Sequence, residues 1–217
     1  MAKRPWSAGG AATTTGVIEG IVVDNKDPEG IGRVLVKYPW LPNETKSAWA
    51  RMSTPMAGNK MGFVIYPEAN DEVLLDFVNG DVHEPVILGS IYNGKDKPPF
   101  DNADGKNNIR IFVSRSGHTF EIDDTDGAEK ITITDCSGSL IVEMDSAGET
   151  ITITSTKDIN IKADNNINIE AGTDIEIKAG SNIKVDAGSN LEEGAGSQAK
   201  IEAGSQVNVQ GATINLN

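Results

Sequence analysis

The sequence predicts an all-β chain: a small N-terminal barrel or sandwich, then an intertwined trimeric β-helix. Three observations predict it. Residues 151–213 are one octad written eight times, from ITITSTKD through INIKADNN and IEIKAGSN to a last copy, VNVQGAT, one residue short. Residues 16–94 carry short alternating runs broken by turns, with no convincing helical period. Aromatic content is only 5% against 38% hydrophobic, which suits a layered aliphatic core better than an ordinary globular one.

Residues 1–15 are small and polar, rich in Gly, Ala and Thr, and are expected to form a flexible arm. Residues 16–94 alternate strands and turns. GVIEGIVVDN, RVLVKYPW, SAWARMSTP, GFVIYP, DEVLLDFVNG and PVILGSIYNG read as strands, and DPEGIG as a turn. Pro39, Pro55, Pro67 and Pro85 stand at strand ends or edges. KDKPPFDNADGKNN (95–108) reads as a linker. Residues 109–150 are strands again on a ten-residue beat, each piece closing in a Gly turn, and form a neck leading into the octads.

Each octad of 151–217 puts aliphatics at positions one and three, as in Ile159/Ile161, Ile167/Ile169 and Ile175/Ile177. A spacing of two is strand alternation with one face buried. The remaining positions are Ala, Gly, Ser, Asn and Asp, which turn corners. Eight residues supply one strand and one corner, whereas a single-chain β-helix coil needs ~20 or more. Three chains, each giving one side of a triangle, close the coil. Eight layers at one strand spacing make a shaft on the order of 40 Å. Two readings rank behind this one: a single-chain solenoid, then amyloid-like stacking, for which Gly and charge content are high.

Charge and cysteine count exclude several functions. The net charge is −13, which opposes nucleic-acid binding and docking on anionic membranes. Cys136 is the one cysteine, so no intrachain disulfide forms. The N-terminus lacks the apolar core of a secretory signal, and no apolar run has membrane-spanning length. The expectation is assembly in a bacterial cytoplasm, with no stable membrane anchor.

Specific strings now carry a resemblance. DNxDPxGxGRV (Asp24 to Val34), YPW (Tyr38 to Trp40), WAR (Trp49 to Arg51), PxAG (Pro55 to Gly58), PExxDEV (Pro67 to Val73), FxxGD (Phe77 to Asp81), PVILGSIYNG (Pro85 to Gly94) and KPP (Lys97 to Pro99) occur in this order. Together they closely resemble the OB-fold domain of the phage baseplate assembly protein V and VgrG spike family. SGHTFEIDDTDGAEKITIT (Ser116 to Thr134) looks like the segment that starts the β-helix in those spikes. The resemblance spans about 16–134 by motif and the remainder by repeat style.

The resemblance implies the central spike of a contractile injection machine: a phage tail, a phage-tail-like particle or a type VI secretion system. The OB domain would dock on a hub and a homotrimeric needle would pierce the target envelope. Family hub and lysozyme domains have no counterpart here, nor does an HxH iron tip, so the hub and the sharp tip are expected to be separate proteins. By this analogy Lys3, Arg4 and Trp6 of the arm contact the hub, or inner-tube and baseplate proteins. Ile214, Asn215, Leu216 and Asn217, after the frame break at Gly211, form the platform for a PAAR-type tip protein. No cofactor is implied.

Residues with chemical potential read mostly as structural. Asp24, Asp27 and Glu29, with Gly30 and Gly32, lack EF-hand spacing and fit a hairpin turn. Asp123, Asp124 and Asp126 fit a solvated turn. His118 has Glu121 nearby but no nucleophile, and His83 lies in a loop. Glu193 is the irregularity: it takes the third octad position, where neighbouring octads have Ile or Val. Three inward carboxylates are costly unless protonated, hydrated or bound to a cation. A bulge turning Glu193 outward, with Lys200 as partner, is slightly favoured over an axial ion, and no other metal ligand is assigned. The rival functions are a glycan-cleaving tail-spike enzyme, which needs a carboxylate pair in a cleft, and a single-strand binder.

Overall fold

The computed structural model describes residues 16–41 and 48–215. The chain divides into two units between Ile159 and Asn160. No α-helix occurs among the described residues, and none is long and apolar enough to cross a membrane.

The first unit opens with a five-stranded barrel. Strand β1 (Ile18–Asp24) pairs antiparallel with β2 (Leu35–Lys37) and with β6 (Glu72–Phe77). Strand β7 (Pro85–Ser90) pairs antiparallel with β6 and parallel with β3 (Arg51–Met52). A bridge between Val34 and Ala50 joins the β2 and β3 ends, so the sheet closes on itself. Bulges between Val22 and Asp24 and between Leu74 and Leu75 supply local bending. A small hairpin, β4 (Ala57–Gly58) with β5 (Met61–Gly62), lies outside this sheet.

Alternation along β1 and β6 sends one side of each strand inward. Val22, Val34, Val36, Tyr38, Ala50, Val73, Leu75, Phe77 and Ile87 form the buried core. The Tyr38 ring packs at a tilt, its centroid 5.5 Å from that of Trp40 and 6.1 Å from that of Phe77. Gly20 has a packing reason: a Cβ there would stand 2.6 Å from Cδ1 of the fully buried Leu75. The β6–β7 corner is a 3-10 turn (Val78–Gly80) with Asn79 at φ 52°, a left-handed position that Asn tolerates.

After the linker comes a meander of five antiparallel strands: β8 (Ile109–Val113), β9 (Thr119–Asp123), β10 (Lys130–Thr134), β11 (Leu140–Asp145) and β12 (Thr150–Ser155). The ten-residue beat is one strand plus one turn, with Gly117, Gly127 and Gly138 at positive φ. Register places Phe112, Phe120, Ile133, Val142 and Ile153 in one row across all five strands. Ile122, Ile131, Met144 and Ile151 share that face by alternation. On the other face Glu121, Thr132, Glu143 and Thr152 align. The sheet is thus amphipathic, and its apolar row stays largely exposed in the single chain. The first octad serves as β12, pairing back on β11, before the repeat leaves the sheet.

From residue 156 to 215 every residue is exposed and none lies in a paired strand. The sequence reads these octads as strands, yet the chain holds no neighbour for them to pair with. The octad period is nonetheless geometric. Bends begin at 156, 164, 172, 180, 188, 196, 204 and 212, always eight apart. Ion pairs Glu176–Lys178, Lys184–Asp186 and Lys200–Glu202, at 2.6, 3.1 and 2.6 Å, join positions two and four. Those positions therefore share one side, opposite the aliphatics of positions one and three, which are 49–74% exposed from Ile159 to Val209.

Truncating the barrel's central side chain tests this packing. Leu75→Ala should lower the barrel's unfolding free energy by about 2–5 kcal/mol, read from the urea midpoint of Trp fluorescence; a change below 1 kcal/mol would contradict the core described.

Candidate functional site

The charged groups of the barrel are used to hold loops. Asp27 heads the DPEGIGR turn and its side chain is nearly buried. Arg33 donates to both of its oxygens, Nε to Oδ2 at 3.1 Å and Nη2 to Oδ1 at 2.8 Å. The backbone N–H groups of Glu29, Ile31 and Arg33 donate to the same carboxylate. The Arg33 guanidinium, aided by those N–H groups, holds the Asp27 carboxyl well below the usual range, and in return Arg33 is raised. Glu29 also pairs with Arg33 at 2.9 Å. These acids are thus committed to a loop lock, and they do not converge as cation ligands.

The same holds in the neck. The Thr125 hydroxyl and N–H lower Asp123, and Asp124 pairs with Arg110. Asp135 organises the β10–β11 turn: the Ser137 hydroxyl donates at 2.6 Å, and Ser139 and Leu140 N–H groups each donate at 2.8 Å. The Ser137 hydroxyl first, then these backbone donors, pull Asp135 down to about 2. His118, just before β9, accepts the Cys136 N–H on Nδ1 at 3.1 Å, so the tips of two neighbouring hairpins are tied together. Cys136 is exposed in its turn, and His83 is exposed in its loop. Arg115 reaches Glu68 at 3.1 Å, linking the meander to the barrel.

What the described residues present to partners is apolar surface. An open cavity of about 360 Å³ on the meander's apolar side is lined by Ile133, Leu140, Val142, Ile153, Ile159 and His118. The octad aliphatics continue that character along the chain. Glu193 is exposed within an octad whose bends, at 188 and 196, keep the eight-residue spacing. Lys200 pairs with Glu202 rather than Glu193, which corrects the partner expected from sequence. Ile214 and Asn215 are exposed. Lys3, Arg4 and Trp6 of the arm, and Leu216 and Asn217 of the tip platform, lie outside the described residues. No group of three or more His, Cys, Asp or Glu side chains able to hold a metal ion occurs among the described residues.

Asp135 sets a pH-dependent contribution. Its folded value lies below the unfolded carboxylate value of about 3.9, so its stabilisation is complete above that pH and is lost as pH falls toward about 2. Asp135→Asn should lower the urea midpoint at neutral pH. The wild-type and variant midpoints should converge as pH falls from about 4 to about 2; a gap constant over that window would contradict the assignment.

Comparison with known proteins now gives the family context. The type VI secretion system/phage-baseplate injector OB domain matches residues 18–92, the barrel just described. The chain is 38% identical over 73 residues to the actin cross-linking toxin VgrG1 of Vibrio cholerae, covering 32% of this chain and 7% of that protein. It is 34% identical over 82 residues to the type VI secretion system spike protein VgrG3 of Vibrio cholerae, covering 36% and 8%. It is 31% identical over 114 residues to the spike protein VgrG1a of Pseudomonas aeruginosa, covering 47% and 18%. The chain spans less than a fifth of the length of each of these relatives. Residues 18–92, the barrel, thus match the injector OB domain of type VI secretion systems and phage baseplates, and the chain is similar over part of its length to VgrG-type spike proteins.

Proposed function

We propose that this chain is a non-enzymatic, homotrimeric central spike of a contractile injection machine. The observation that carries the reading is the aliphatic stripe, uncovered by its own chain and repeated at strict eight-residue bends, following an injector OB domain. Fully burying one such aliphatic is worth roughly 1.5–3 kcal/mol, and three chains bury the whole stripe at once. Folding and trimerisation are then coupled. The product is a narrow, stiff rod suited to carrying compressive load.

In this reading the OB domain docks on a hub, with Lys3, Arg4 and Trp6 in the contact and inner-tube or baseplate proteins nearby. The octad needle pierces the target envelope. Ile214, Asn215, Leu216 and Asn217 seat a PAAR-type tip protein. Assembly takes place in the bacterial cytoplasm and delivery at the target cell. The activity in the name of the cross-linking toxin is not carried over, because the match covers only 7% of that protein. No observation favours the glycan-cleaving reading.

Glu193 stays on the aliphatic side in this proposal, hydrated or holding a cation at the three-fold axis. Its third position in the octad, filled by Ile or Val in the neighbouring octads, supports it.

Electron cryomicroscopy of purified injection particles tests the role. Three copies of this chain should occupy the axis ahead of the inner tube; particles complete and infective or injecting without the chain would overturn the reading. For the axis, Glu193→Ile should raise the trimer's melting temperature, by the equivalent of about 1–3 kcal/mol per chain. An unchanged melting temperature would put the carboxylate outside the stack, and a fall would favour the bound cation.

A further inference from the structure

One segment of the barrel is built like a strand and has nothing to pair with. GFVIYP reads as a strand in sequence, yet residues 63–66 belong to no strand of the structure. Its two ends are fastened. Phe63 N–H donates to Met56 C=O at 3.0 Å, and the Thr54 hydroxyl donates to Phe63 C=O at 2.5 Å. At the far end Asn25 Nδ2 donates to Pro67 C=O at 2.9 Å, and the Tyr66 hydroxyl lies over Gly32. Between these anchors, the backbone groups of Val64, Ile65 and Tyr66 form no hydrogen bond with any described residue. The side chains are open as well: Met56, Met61, Phe63, Val64, Ile65 and Tyr66 are all exposed. The result is a pre-set apolar ribbon with an unpaired edge, the kind of surface that recruits another chain.

Its charge says which chain. The protein carries a net charge of −13, so three copies repel one another strongly. From Ala48 to Pro67 there is no acidic residue, and Arg51 and Lys60 are the formal charges. Carboxylates elsewhere in the barrel include Glu19, Glu29, Glu72, Asp76, Asp81 and Glu84. A ring of three requires that one patch meet a different patch on the neighbour. An apolar ribbon free of carboxylates against the carboxylate-bearing surface of the next barrel meets that requirement.

We propose that the Met56–Tyr66 ribbon is the contact by which each OB domain docks on the OB domain of a second copy, making the collar a trimerisation element in its own right. The inference rests on the trimeric reading given above.

Hydrogen exchange on the full-length protein in solution, without any hub, separates the two. The amides of Val64, Ile65 and Tyr66 should exchange at least about 100-fold slower than an unstructured chain, alongside protected octad amides from Ile159 to Val209. Val64→Ser/Ile65→Ser, at exposed positions, should release the ribbon amides and leave the octads protected. Protected octads with a ribbon exchanging at unstructured rates would overturn the collar contact alone, as would ribbon protection that needs an added hub protein. Ribbon protection unchanged in the double variant would overturn it too. Octads exchanging at unstructured rates would remove the trimer and the collar contact together.

Discussion

The aliphatic pairs of the octads cannot be covered by the chain that carries them. From residue 159 on, each octad is one extended run and one bend, and none of the described ones pairs with another. From Ile159 to Val209 the apolar side therefore stays open, while Glu176–Lys178, Lys184–Asp186 and Lys200–Glu202 occupy the opposite side. The meander faces the same constraint: its apolar row from Phe112 to Ile153 lies on one face, opposite the row of Glu121, Thr132, Glu143 and Thr152. In the trimeric reading proposed above, three chains cover these surfaces together, and stability then depends on protomer concentration.

The barrel is the counterweight. Its sheet closes through the Val34–Ala50 bridge, its core is buried within one chain, and its most constrained acid, Asp27, is neutralised locally by Arg33. A self-sufficient barrel is thus joined to a segment whose apolar side its own chain leaves open. The Met56–Tyr66 ribbon is where the barrel departs from self-sufficiency: an exposed apolar stretch without carboxylates.

Much of this was legible in the sequence because periodicity and turn chemistry are local. The ten-residue beat gave the meander strands, Gly117, Gly127 and Gly138 marked its turns, and the motifs from Asp24 to Gly94 pointed to an OB barrel that residues 18–92 match. Long-range matters were not legible. Nothing local says that GFVIYP lacks a pairing partner, that the first octad folds back on β11, or that Lys200 turns to Glu202. The Asp27–Arg33 lock was also missed; DPEGIGR read as a turn, and only the fold brings the guanidinium onto the carboxylate. Contact residues at the chain's ends, Lys3 and Leu216 among them, were assigned by analogy alone.

The central claim is that three chains share one needle, and the mass of the full-length protein in native solution tests it most directly. The account predicts a species of about 69 kDa, three times the 23.0 kDa chain, that survives SDS without heating. A folded monomer of 23.0 kDa across the working concentration range would contradict it.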